Sequence, residues 1–182
     1  MNPFLNTTLP SFDEPLAMLQ ACHDRIEAHC ATLEKLVEYL PLHGCDSAAR
    51  QAAANILRYF DTAGPNHHAD EERDLFPLLR ANSHGPEAIE LAALLENLMA
   101  EHRLMEQAWQ DVRVGLVAVT TGSGTTLDKP AVAGFTALYR SHIQTENSRL
   151  LPLASALLTP TQLAGLGETM AARRQTGTAT LL

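Results

Sequence analysis

Clustered basic charge, paired cysteines and long apolar runs are all scarce in this 182-residue chain, and each shortage closes off a class of function. Thirteen Lys+Arg stand against 21 Asp+Glu, a formal charge of −8. The basic residues are scattered, the densest pair being Arg173-Arg174, so nothing offers the counterion-releasing surface that nucleic-acid recognition needs. Every apolar run falls short of the roughly 18 residues that span a bilayer. Met1 to Asp13 has neither the basic start nor the apolar stretch of a signal peptide, so the sequence predicts a cytosolic protein without a membrane partner. Of three cysteines, Cys22 and Cys30 lie eight apart on one expected helix, about 12 Å along its axis, too far for a disulfide. They read as small apolar fillers in a reducing compartment. With 46% apolar and 5% aromatic residues, the composition is that of a single globular domain, residues 1–182.

Helical periodicity dominates what is present. From Pro15 to Leu40, the residues Leu16, Leu19, His23, Ile26, Cys30, Leu33 and Val37 alternate three and four apart, with Pro41 and Gly44 expected to end the helix. A second helix starts near Ser47, is interrupted at Gly64-Pro65 by an expected kink or short loop, and resumes to about Arg80. A third runs from about Glu87 to Val119, and the TTGSGTT segment after it is a loop. The fourth runs from about Lys129 past Pro152 to about residue 158. Thr159-Pro160-Thr161-Gln162 has the form of a capping box opening a short helix to about residue 175. No segment alternates with period two for long enough to demand a strand. The expected fold is an all-α, up-down-up-down four-helix bundle, with its core over residues 15–158 and an additional C-terminal helix.

The chemistry lies in the histidines. His23, His67, His68, His102 and His142 each have a glutamate four residues later, so five of eight histidines do, where random placement of the 13 glutamates gives about 0.6. Spacing i,i+4 puts both side chains on one helix face. On a solvated face such pairs merely stabilise a helix. Here His23 lies between Leu19 and Ile26, and His102 between Leu98 and Met105, where an unpartnered polar group costs several kcal/mol. One such histidine reads as a satisfied core residue. Four of them, one per helix, read as a shared metal site.

An internal echo strengthens that reading. His67 to Leu78 (HHADEERDLFPL) and His142 to Leu153 (HIQTENSRLLPL) share H-x-x-x-E-x-x-x-L-x-P-L. The two halves then form a pseudo-two-fold bundle with two equivalent metal positions. The echo selects His67/Glu71 as the inward pair, although Leu75 and Leu79 also allow His68/Glu72.

In this order of motifs, a lone His, His-x-x-x-Glu followed by E and L-F-P, a second lone His, and a second His-x-x-x-Glu, the chain resembles the hemerythrin-like, or HHE cation-binding, family over about Pro15 to Leu158. The resemblance implies a four-helix bundle with two non-haem iron ions, bridged by two carboxylates and an oxo or hydroxo group. It assigns His23 to the first helix, His67 and bridging Glu71 to the second, His102 to the third, and His142 and bridging Glu146 to the fourth. It also implies a small-molecule partner such as dioxygen or peroxide, in oxygen or redox sensing, oxygen binding or iron handling rather than a classical enzyme.

The chain departs from the oxygen carriers at two places. Their third helix carries H-x-x-x-H, where this chain has Glu106, and their last motif ends in an aspartate at i+5, where this chain has Asn147. With Glu106 as a further ligand, two ferric ions, an oxo bridge and three glutamates sum formally to about +1, against about +2 with two carboxylates. Such a site is biased toward the ferric state and suits redox or sensing chemistry better than reversible transport. Glu27 reads as solvated or as a hydrogen-bond partner to a ligand histidine, His29 as solvent-facing, His43 and His84 as turn residues, and Trp109 as core. Two other functions compete: a di-iron oxidase or peroxidase-like enzyme, for which the Glu-x-x-His signature of ferritin-like enzymes is absent, and a metal-free or zinc-stabilised helical adaptor.

Overall fold

The computed structural model describes residues 10–177, and among these every regular element is helical. Helix α1 is Pro15–His43. Helix α2, residues 47–82, is continuous but not uniform: α-helical Ser47–Arg58, π-helical Tyr59–Ala63, α-helical Gly64–Asp70, π-helical Glu71–Leu75 and α-helical Phe76–Asn82. Helix α3 is Pro86–Thr120, 35 residues of uninterrupted α-helix. Helix α4, residues 129–157, joins Lys129–Thr145 and Leu151–Leu157 through π-helical Glu146–Leu150. Helix α5 is Pro160–Gly177. The first and third helices each pack against both the second and the fourth, which closes the four-helix bundle, and α5 lies against α1 and α2. No helix of the described residues is long and apolar enough to cross a membrane.

Two local expectations change. Helix α1 passes through Pro41 and ends at Gly44, whose φ of 66° takes the chain out of the helix while its N–H donates to the Leu40 carbonyl at 2.8 Å. So close to the end, the proline removes only one bond. Gly64-Pro65 makes no break in α2, because a π turn absorbs the proline. Pro65, Pro77 and Pro152 each follow a five-residue π segment, and the carbonyl four residues before each proline (Asp61, Arg73 and Ser148) lies in the middle of that segment. The wider turn moves this carbonyl away from the pyrrolidine ring, and i→i+5 bonds close it: Gly64 N–H to Tyr59, Phe76 to Glu71 and Leu151 to Glu146.

The expected starts of α4 and α5 are observed with their caps. Asp128 accepts from the Ala131 N–H at 3.0 Å. At α5, Gln162 Oε1 accepts from the Thr159 N–H at 2.9 Å while Thr159 Oγ1 accepts from the Gln162 N–H at 3.3 Å. Helix α5 is latched by charge. Asp70, fully buried, is paired with Arg173 and with Arg174 Nη2 at 2.6 Å, and Arg173 reaches Asp74 at 2.6 Å.

Two apolar clusters fill the bundle. One gathers Ile26 to Leu40, Ala49 to Phe60, Met105 to Val119 and Val132 to Ile143; the other gathers Leu19, Leu75 to Leu79, Leu91 to Leu98, Leu150 to Leu158, Leu166 and Met170. In each of the four bundle helices the histidine motif lies between these two sets or at their border. A polar layer therefore crosses the bundle between two dry ones.

Candidate metal centre

Each of the four bundle helices contributes to this layer. His23 comes from α1, His67 and Glu71 from α2, His102 from α3, and His142 and Glu146 from α4, and all six are buried, both glutamates and His23 completely. Glu71 Oε1 lies 3.4 Å from His67 Nε2 and 3.9 Å from His23 Nε2, while its Oε2 lies 3.5 Å from His102 Nε2. Glu146 mirrors it, with Oε2 3.1 Å from His23 Nε2 and Oε1 3.2 Å from His142 Nε2. Each carboxylate thus turns one oxygen to each half of the layer. Two overlapping donor groups result: His23, His67, Glu71 and Glu146, and His102, His142, Glu71 and Glu146, each with donor atoms within 4.8 Å of one another.

The donor chemistry fits a pair of metal ions. Both oxygens of Glu71 and of Glu146 and the Nε2 of His23 are buried without a hydrogen-bond partner. Such atoms are costly unless something electropositive lies among them. His102 Nε2 and His142 Nε2 stand only 3.0 Å apart. Two nitrogens bound cis to one ion at about 2.1 Å each are separated by about 3.0 Å. Among the described residues, only histidines pair with the two buried carboxylates. Without metal, protons balance their charge: burial opposes charge on His23 and His142, yet Glu146 and Glu71 beside them raise His23 to about 10 and His142 to about 9. Burial and the neighbouring Glu146 charge push Glu71 up to about 8. For Glu146, burial acts upward, but His142 and His23 outweigh it and hold the carboxyl well below the usual range.

The comparisons with known proteins agree with this geometry. The sequence model of the hemerythrin HHE cation binding domain matches residues 14–154. A Haemophilus influenzae protein described only as uncharacterized is 32% identical over 165 residues, which cover 91% of this chain and 92% of the relative. The chain belongs to the hemerythrin HHE cation-binding family.

Within this hemerythrin-like layer, the sequence-based site is brought together except at one position. Glu106 is exposed and belongs to neither donor group, a correction to the expected ligand set. The buried face of α3 runs His102, Met105, Trp109, Val112, Leu116 and Val119, in alternating steps of three and four. That face leaves His102 by a step of three, so residue 106 falls outside it. The choice between neighbouring pairs on α2 also resolves, since His67 and Glu71 enter the layer while His68 and Glu72 flank it.

The outer faces of the layer's histidine rings were not legible as such. His102 Nδ1 donates to Glu72 Oε1 and His142 Nδ1 to Glu101 Oε2, both at 2.7 Å, and His23 Nδ1 to Asn147 Oδ1 at 2.6 Å. An Nδ1–H held by an oxygen fixes the tautomer that leaves the Nε2 lone pair facing inward. His67 differs, for its Nδ1 is buried without a partner. The two halves are therefore unequal: both rings of the His102/His142 half rest on carboxylates, whereas the His23/His67 half has one amide. Asn147, noted in the sequence only as a departure, acquires a role by this contact. Glu101 and Glu72 reach rings on other helices, which no spacing along one helix reveals.

The remaining residues lie away from the metal layer. Glu27 and His84 are exposed. His29 is half-buried and stacks on Tyr59 with ring centroids 4.3 Å apart, and His43 stacks on Tyr39 at 4.0 Å. Trp109 is core, its Nε1 donating to Asp61 at 3.0 Å. The cysteines are free.

Proposed function

We propose that this protein holds two non-haem iron ions, bridged by Glu71 and Glu146, and uses them in oxygen or redox sensing rather than in reversible oxygen carriage. The observation that carries the reading is the division of each buried carboxylate between the two histidine pairs. A donor set of imidazole and carboxylate, with no thiolate in either group, suits iron with open coordination positions better than a closed structural zinc site. Bound there, the iron pair supplies one-electron chemistry toward dioxygen or peroxide. The protein supplies a buried polar layer between two apolar clusters, four imidazoles of which three are held at Nδ1 by a hydrogen bond, and two buried carboxylates.

Charge favours the ferric state. With Glu106 outside the layer, two ferric ions, an oxo bridge and two glutamates sum formally to about +2. Glu72 and Glu101, hydrogen-bonded to ligand rings, offset that charge from just outside. The reading that began with a third inner carboxylate thus rests instead on two outer ones.

Metal analysis of the purified protein, followed by anaerobic reduction and addition of oxygen under ultraviolet-visible observation, tests this. About two irons per chain and direct conversion to the ferric form are expected. A stable, reversible oxygenated spectrum would return the protein to the carriers, and one zinc or no metal would make the layer that of a structural adaptor.

A further inference from the structure

A cavity of about 260 Å³ opens on the flank of the second helix and reaches the metal layer at one point. Of the six layer residues, His102 alone lines it. Its wall is mixed: Phe60, Met105 and Trp109 face Glu72 and the histidines, while Arg73, Arg103 and Glu106 stand exposed at its mouth. His68 lines the cavity beside His102, and the two rings are stacked, 3.9 Å between centroids and 11° between planes. The Nε2 of His68 is buried and has no hydrogen-bond partner.

The stacking decides what His68 can do. An imidazole binds a metal along the in-plane axis of its lone pair, about 2.1 Å from the nitrogen. Stacked rings 11° apart lie in two nearly parallel, separated planes, and an ion bound in the plane of one lies off the plane of the other, so His68 and His102 do not share one ion. His68 accordingly belongs to neither donor group. An exogenous ligand on the ion held by His102 and His142 would extend beyond the protein donors, and the cavity gives it room on the side where His68 lies.

We propose that His68 is a positioning residue that donates a hydrogen bond from Nε2–H to a small anion bound at the second metal position, which the anion reaches through this cavity. The inference rests on the di-iron reading. A neutral imidazole with Nε2 protonated supplies the donor, and the anion's metal-distal atom is the acceptor. Arg73 and Arg103 stand along the way in with Glu72 and Glu106 beside them, so the lining is close to neutral and the His68 donor and the metal charge, rather than the mouth, would hold the anion.

Azide, titrated into the ferric protein and followed by its charge-transfer absorption, is the probe. Iron content is measured first, so that a chain without two irons overturns the di-iron reading, and this inference with it, before azide is added. His68→Phe keeps a ring on His102 but removes the donor, and should retain both irons while weakening azide binding roughly ten- to a hundredfold. His68→Gln, which can still donate, should recover most of that loss, to within about fivefold of wild type. Two irons with unchanged azide affinity in His68→Phe would overturn the donor role alone. Loss of an iron from His68→Phe would make His68 a ligand, which equally overturns the proposal.

Discussion

Replacing Glu72 and Glu101 by glutamine should weaken the second metal position while sparing the first. Each glutamate accepts from the Nδ1–H of a ligand histidine at 2.7 Å, Glu72 from His102 and Glu101 from His142. Removing such an outer partner costs about 10- to 100-fold in metal affinity, or about 1.4 to 2.7 kcal/mol. Two features place the expected loss at the lower end. Glutamine retains an acceptor oxygen at the same reach, so the variant removes the charge and not the hydrogen bond. The two glutamate side chains are also 35% and 36% exposed, so solvent already screens them. About tenfold per substitution is expected, and about a hundredfold for the double variant if the contributions add. An internal comparison exists in His23, whose partner Asn147 is already a neutral amide. Stepwise anaerobic ferrous titration by calorimetry resolves the two binding constants. A second constant within twofold of wild type in the double variant, or an equal loss in both constants, would refute the inequality of the two halves.

Other consequences follow from the same geometry. His67→Ala and His142→Ala should each lose a large part of the iron and lower the melting temperature of the loaded protein, whereas His29→Ala and His43→Ala should bind as wild type; metal analysis and thermal melts of all four check this. Glu106→Gln should keep both irons and leave the reduction potential unchanged, because that carboxylate is exposed outside the layer; a shifted potential in redox titration would bring Glu106 back toward the metals. Loading should also release protons. At pH 7 the metal-free layer carries protons on His23 (about 10), His142 (about 9) and Glu71 (about 8), and each must leave for its atom to bind metal. Affinity therefore rises with pH from 7 through this range, and calorimetry in buffers of different ionisation enthalpy should count about three protons per loaded pair. The sign for folding is opposite. The raised histidines stabilise the metal-free protein fully below their unfolded value of about 6.5, and that contribution disappears as pH climbs through about 9 to 10. Metal-free melts across pH 6 to 10 should fall while the loaded protein's do not.

How much of this was legible in the chain depends on which interactions run along a helix and which run across the bundle. Helix periodicity gave the number of helices and the first turns of α1, α4 and α5, since these follow from spacing, proline and capping residues within a few positions. The same periodicity supplied the six clustered donors, because each stands among apolar residues with no solvent to satisfy it. Partners across the bundle were invisible. Nothing along the sequence joins Glu101 to His142, or Asn147 to His23, which are 41 and 124 residues apart.

Glu106 was misread for a subtler reason, and the π segments supply it. On an α-helix each step of four residues advances about 400°, so steps of four drift about 40° at a time and soon leave the core face. His67, Glu71, Leu75 and Leu79 are nevertheless all buried, as are His142, Glu146, Leu150 and Ala154, and each series is separated by strict fours. The π segments make this possible, because winding more residues into each turn cancels the drift just past each carboxylate. Helix α3 has no such segment and follows the ordinary alternation of three and four, so a residue four past its histidine leaves the core. The i,i+4 pair is thus an inward pair only where the fours continue and a proline follows, as Pro77 follows Glu71 by six residues and Pro152 follows Glu146 by six. The echo H-x-x-x-E-x-x-x-L-x-P-L therefore encodes a backbone device as well as a ligand set. His102-x-x-x-Glu106 lacks its second half, with Gln110 where a leucine would continue the series and Val112 where the proline would stand, and that absence was the sequence's own sign that Glu106 faces out.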